Sequence, residues 1–223
     1  MVNIFTELFG IQSYMVNGVR TSGKSSKAHF FQPSSILDLQ VYHNELKDLQ
    51  RIKEVKWEYL YKNILSDVTK NSIALYMVEL LQKCLKQPEN NTYLFQFVED
   101  SLMALDTSSD AVSANFPIYF SLQLAQFFGF TISDTYSSQQ SILDLQEGFF
   151  IEHTPIHPHY LQGEQSHAIS QLMKAVHPDE LSQIRIGRVM RRELLFALQS
   201  FYGLHTQDFG MMKSLPILQE ILS

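Results

Sequence analysis

Cysteine is all but missing from this chain: Cys84 stands alone among 223 residues. A single thiol excludes an intramolecular disulfide framework and any zinc site built from the cysteines of one chain. No run of eighteen apolar residues occurs, and the first ten residues carry no cationic segment ahead of an apolar one, so neither a membrane span nor a secretory leader is expected. The expected location is the cytoplasm. The catalytic signatures Gly-x-Ser-x-Gly and His-Glu-x-x-His are absent. The carboxylates Asp134, Asp144, Glu147 and Glu152 crowd one segment, but spacing alone brings no two of them face to face. No catalytic residue and no cofactor is therefore nominated. Positive charge is scarce as well: Lys and Arg number 17 against 23 Asp and Glu, a net charge of −6. A surface that is cationic throughout, as for a general nucleic-acid or anionic-membrane binder, is excluded.

What charge there is lies unevenly. Residues 1–66 hold eight Lys and Arg against six Asp and Glu, and residues 67–223 hold nine against seventeen. A mildly basic first third joined to an acidic remainder fits a small nucleic-acid module fused to a protein-binding domain, and equally a purely structural asymmetry.

The apolar pattern changes with the charge. Leu37, Leu39 and Val41 alternate with Asp38, Gln40 and Tyr42, and Val55, Trp57 and Tyr59 alternate with Glu54, Lys56 and Glu58, the period of half-buried strands. The polar stretch between Tyr42 and Leu49 predicts a hairpin joining them, and Ile11 to Val16 predicts a further strand closed by Asn17-Gly18. Short strands of this kind imply a small barrel or open sheet. From Ser66 or Asp67 the period becomes helical. Helices are predicted through Ile73–Leu85, Leu94–Leu105, Phe116–Phe128, Ile169–Val176, Ile186–Phe201 before Gly203, and Leu215–Leu222. Residues 130–163 lose that period and read as an irregular insertion with a short hairpin around Gly148-Phe149-Phe150. The fold class is α+β, a small N-terminal β module followed by a larger all-α domain.

Gly18-Val19-Arg20-Thr21-Ser22-Gly23-Lys24-Ser25 satisfies the phosphate-loop pattern at every position. Its chemistry needs a helix opening directly behind the loop, so that backbone N–H groups converge on the phosphates. Residues 26–35 show no helical period and a strand follows, so nucleotide binding is set aside as an alternative. Arg20, Lys24 and Lys27 instead sit on a Ser- and Gly-rich loop that can follow a nucleic-acid backbone.

The run Ile4-Phe5-Thr6-Glu7, then Phe9-Gly10, then Tyr14-Met15-Val16-Asn17-Gly18-Val19, resembles the N-terminal domain of the RecO family, as does Gln32-Pro33 leading into Leu37-Asp38-Leu39. Leu204 and Lys213-Ser214-Leu215 fit the family's ending. Motif-level specificity is concentrated in residues 4–42. The resemblance implies an OB-fold over residues 1–66 and a helical domain over 67–223, with a zinc-ribbon-like insertion at about 130–163. It also implies a DNA repair and recombination mediator rather than an enzyme. Such proteins bind and anneal single- and double-stranded DNA, engage the C-terminal tail of single-stranded DNA-binding protein, and act with RecR to load RecA. The nucleoid would be their place of work.

Two departures qualify the resemblance. This chain opens at Met1-Val2-Asn3-Ile4 where relatives have a further strand, so the barrel is expected to lack its first. The four cysteines that many relatives carry in the insertion are absent, and His153, His157 and His159 do not complete a ligand set, so no metal is expected. The DNA-binding candidates are Arg20, Lys24, Lys27, Arg51, Lys53 and Lys56. Arg51 and Lys53 are expected on one strand face and Lys56 on the other. Trp57 is expected in the core. The partner-binding candidates are Arg185, Arg188 and Arg192 at helical spacing with Arg191 beside them, a cationic stripe that suits an acidic tail and fits equally a solvated helix face. A helical adaptor without DNA activity is the competing reading.

Overall fold

The computed structural model describes residues 1–16, 27–86 and 89–222. It divides into two compact units, Met1–Lys62 with Leu85–Met103, and Asn63–Cys84 with Ala104–Ser223.

The first unit is built on a four-stranded sheet. Strands β1 (Val2–Thr6) and β2 (Gly10–Met15) form one hairpin, and β3 (Leu37–Tyr42) and β4 (Leu49–Trp57) form another. The hairpin expected across residues 43–48 is present, and a short strand at the very start, β1, was not foreseen. The strand order is β1-β2-β4-β3, with β2 and β4 running parallel through Ser13↔Leu49, Tyr14↔Gln50 and Met15↔Arg51. Tyr14 and Gln50 point to the same buried face. Gln50 satisfies its amide by accepting from the Asn44 N–H and donating to the Asn44 and Lys47 carbonyls, which closes the hairpin turn. Among the described residues β1 and β3 are the two edges, and no closed barrel is present. Helix α2 (Thr92–Thr107), capped by Asn91 on the Leu94 N–H at 2.9 Å, brings Phe95 to 5.7 Å from Phe5 of β1.

The second unit is a helical bundle. Helix α1 (Val68–Cys84) starts where Asp67 accepts from the Lys70 N–H at 3.0 Å. Helix α3 (Asp110–Ala125) begins a full turn and a half earlier than the apolar spacing indicated, and it is buried on almost every side. A helix apolar all round belongs at the centre of a bundle, and α3 packs against α1, α4 (Glu164–Lys174) and α5 (Arg188–His205). Helix α5 runs through Gly203 instead of stopping before it. Buried polar groups pin these helices: Tyr76 of α1 and Tyr202 of α5 both reach Ser121 of α3, at 2.8 and 2.7 Å. Helix α6 (Ser214–Ile221) closes the bundle against α1.

The insertion is more ordered than its sequence indicated. It forms a three-stranded antiparallel sheet from β5 (Ile142–Asp144), β6 (Phe149–Ile151) and β7 (Tyr160–Leu161), in the order β6-β5-β7. Gly148 turns the β5–β6 hairpin at a φ of +74°, where a Cβ would meet the Thr131 carbonyl oxygen at 2.5 Å. Phe130 sets the insertion on α5, its ring 5.6 Å from Phe201 and 5.2 Å from Tyr202. No helix among the described residues is long and apolar enough to cross a membrane.

Candidate nucleic-acid interface

Strand β4 carries three of the expected cations, and its geometry changes how they face. The register reads Tyr42↔Arg51, Val41↔Ile52, then Gln40↔Glu54, Leu39↔Val55, Asp38↔Lys56 and Leu37↔Trp57. Lys53 has no partner in that ladder: it is the extra residue of a β-bulge, which resets the inward and outward parity by one. Ile52, Val55 and Trp57 therefore share the sheltered face, and Arg51, Lys53, Glu54 and Lys56 are all exposed on the opposite one. Lys56 does not turn away from Arg51, as strict alternation demanded. The bulge gathers all three cations on one surface.

That surface is mixed in charge along its length. Lys56 lies 3.9 Å from Asp38 across the ladder, and Lys53 donates to Gln40 at 3.5 Å, both pairs exposed. Such contacts hold little. Arg51 is the one charged residue in the facing segments Val41–Tyr42 and Gln50–Ile52. Trp57 is half-buried, its ring 5.1 Å from Phe30, so it belongs to the packing. The phosphate-loop pattern, with Arg20 and Lys24, lies outside the described residues, as does the side chain of Lys27. Directly after it comes a four-residue 3₁₀ turn, Lys27–Phe30, and then strand β3.

The arginines of the second unit separate into two groups. Arg185 precedes α5 in non-helical chain, whereas Arg188, Arg191 and Arg192 lie in its first turns. The four are not one helical stripe, because the chain between the 3₁₀ turn Pro178–Gln183 and Gly187 is not helical. The three helical arginines rim a pocket of about 250 Å³ with Val189, Leu195, Gln219 and Leu222. Helix α6 supplies the far wall, tied by Gln219 donating to the Arg192 carbonyl at 3.3 Å. Arg191 donates through Nη1 to the Ile186 carbonyl at 2.7 Å, and its Nε is buried without a partner. Burial, with Arg188 beside it, holds the Arg191 guanidinium below its ordinary value. An apolar hollow rimmed by guanidinium groups has the chemistry to take an apolar side chain next to a carboxylate.

The insertion's ionisable groups do other work. Asp144 accepts from the Gln146 and Glu147 N–H groups at 2.8 and 3.1 Å and contacts His157 Nε2 at 3.2 Å. His153 is exposed, and Asp134 pairs with Lys174 at 3.5 Å. No three His, Cys, Asp or Glu side chains gather as a metal site among the described residues.

Comparison with known proteins covers both units. The chain matches the family description "Recombination protein O N terminal" over residues 1–61 and "Recombination protein O C terminal" over residues 65–215. Relatives named DNA repair protein RecO are similar end to end. The one from Azobacteroides pseudotrichonymphae is 28% identical over 221 residues, spanning 99% of this chain and 91% of the relative. That from Flavobacterium johnsoniae is 31% identical over 225 residues, spanning 100% and 92%. That from Porphyromonas gingivalis is 30% identical over 226 residues, spanning 99% and 91%.

Proposed function

Because the chain belongs to the recombination protein O family of DNA repair proteins, we propose that it acts as a recombination mediator. It binds single- and double-stranded DNA, anneals complementary strands, and with RecR helps RecA load onto DNA coated with single-stranded DNA-binding protein. Its work is done at the nucleoid. The observation that carries this reading is the bulge in β4, which turns Arg51, Lys53 and Lys56 to one exposed surface in a chain whose net charge is negative. Cations grouped on a rigid strand attract phosphates wherever the sequence of bases is irrelevant.

The N-terminal module, residues 1–66, is read as an OB-fold. A simple meander would contain antiparallel pairs alone, and the parallel β2–β4 pair supports the crossed winding of a Greek-key barrel. Residues 67–223 are the helical domain, with the insertion at about 130–163 as its ribbon-like lobe. The pocket rimmed by Arg188, Arg191 and Arg192 supports docking of the acidic, apolar C-terminal tail of single-stranded DNA-binding protein, and Arg185, three residues before Arg188, is proposed to add to its charge.

Fluorescence anisotropy with labelled single-stranded DNA tests the DNA half of this reading. Binding should weaken as salt rises, since each phosphate contact releases counterions. The triple variant Arg51→Glu, Lys53→Glu and Lys56→Glu should lose at least about tenfold in affinity at low salt and show a shallower salt dependence. Affinity equal to that of the unaltered chain would overturn the assignment, and no salt-sensitive signal from either protein would favour the adaptor reading.

A further inference from the structure

Tyr42 is 63% exposed at the end of edge strand β3, and among the described residues its ring has no hydrogen-bond or aromatic partner. It stands directly opposite Arg51 in the antiparallel ladder, and Arg51 stands opposite Met15 in the parallel one. The three side chains thus form one row across β3, β4 and β2. The neighbouring row, Tyr14 and Gln50, is buried, so alternation sends Met15, Arg51 and Tyr42 to the opposite face, where Met15 is 40% exposed. A phenol, a guanidinium and a thioether stand side by side in water.

We infer that this row is a stacking site for unpaired nucleobases, a role that rests on the DNA-binding reading above. Facing side chains on adjacent strands begin about 5 Å apart. One nucleotide can lay its base on the phenol ring and bring its phosphate to the Arg51 guanidinium. Met15 extends the platform with a soft, polarizable surface on the far side of the cation. On the paired strands the carboxylates Asp38 and Glu54 stand further along the ladder, opposite Lys56 and Gln40, while Glu45 and Asp48 are exposed in the turn that joins β3 to β4, balanced there by Lys47 alone. Every base has a π face, so the contact is indifferent to sequence. A duplex has its bases already stacked and paired and offers Arg51 phosphates alone. The row therefore favours single strands over duplex by the amount Tyr42 contributes.

Anisotropy titrations of the full chain with a labelled thymidine oligonucleotide, and with a duplex of equal length, separate the two parts. Tyr42→Ala should lower single-strand affinity by about fivefold or more, leave duplex affinity unchanged, and leave the salt slope unchanged because no charge is lost. Tyr42→Phe keeps the ring and should bind within about twofold of the unaltered chain. Arg51→Ala should weaken both ligands and reduce the slope by about one. If Tyr42→Ala weakens both ligands equally, or neither while the triple β4 variant has lost DNA, the stacking site is overturned and the phosphate reading stands. If the triple variant binds normally, the phosphate reading falls and this inference falls with it.

Discussion

Glu79 on α1 accepts three hydrogen bonds from the start of α6: the Lys213 and Ser214 N–H groups at 2.8 and 2.7 Å, and the Ser214 hydroxyl. The cap residue Lys213 makes no side-chain cap of its own, so an eight-residue helix borrows its cap from a neighbour. Partial burial pushes the Glu79 carboxyl upward. The bonds from Ser214 and Lys213, with Lys83 nearby, outweigh it and hold the group below its ordinary value. A depressed carboxyl contributes stability above its unfolded value and loses it as pH falls through its folded one. Glu79→Ala should therefore cost about 1–2 kcal/mol at neutral pH. In thermal melts the gap from the unaltered chain should shrink as the pH drops below the usual carboxylate range. A gap that persists undiminished in acid would show that packing, not the ionised group, is what was lost. None of this was visible in the sequence, where Glu79 and Ser214 are 135 residues apart.

Among the elements, β4 departs furthest from what its residues indicated. Alternation from Glu54 to Glu58 correctly identified a strand, but parity counted back from Val55 put Arg51 and Lys56 on different faces. One unpaired residue, Lys53, reverses that parity for everything before it. The consequence is a counterintuitive mutation. Deleting Lys53 leaves Gln50-Arg51-Ile52-Glu54-Val55-Lys56-Trp57 in strict alternation with every face preserved. Such a deletion should cost less than about 1–2 kcal/mol, whereas an Ala inserted after Val55 should cost several, because it forces a second offset on the same ladder. Urea midpoints of the two variants give the order directly, and a deletion as damaging as the insertion would mean the bulge itself is required. The helices were more legible than the strands. Most of their apolar residues are buried, and the differences lie at their ends: α3 starts at Asp110 and gives way to a 3₁₀ turn after Ala125, α4 stops at Lys174 before the exposed Val176, and α5 starts at Arg188 and runs past Gly203.

At the scale of the whole molecule, two groups of cations stand out against a net charge of −6. One is on β4, the other around the α5–α6 pocket. If they serve different ligands, charge reversal should separate the activities. Arg188→Glu with Arg192→Glu should weaken an acidic, apolar-ended peptide by at least about tenfold, or 1.4 kcal/mol, and leave DNA affinity within about twofold. The triple β4 variant should do the converse. Anisotropy with labelled peptide and labelled DNA reads both, and parallel loss of both ligands in either variant would mean that the surfaces are not independent.

Period and composition alone determined that a short-stranded module precedes a helical one, and that no disulfide scaffold could form. Motif resemblance over residues 4–42 identified the family. These features are written in neighbouring residues, where each local choice agrees with the fold. What only tertiary structure decided is which groups meet. A one-residue bulge aligned Arg51 with Lys56, parallel pairing set Met15 beside Arg51, and α6 closed a pocket on α5 arginines some thirty residues away. Such encounters depend on register and packing between distant segments, and a linear pattern carries no record of either.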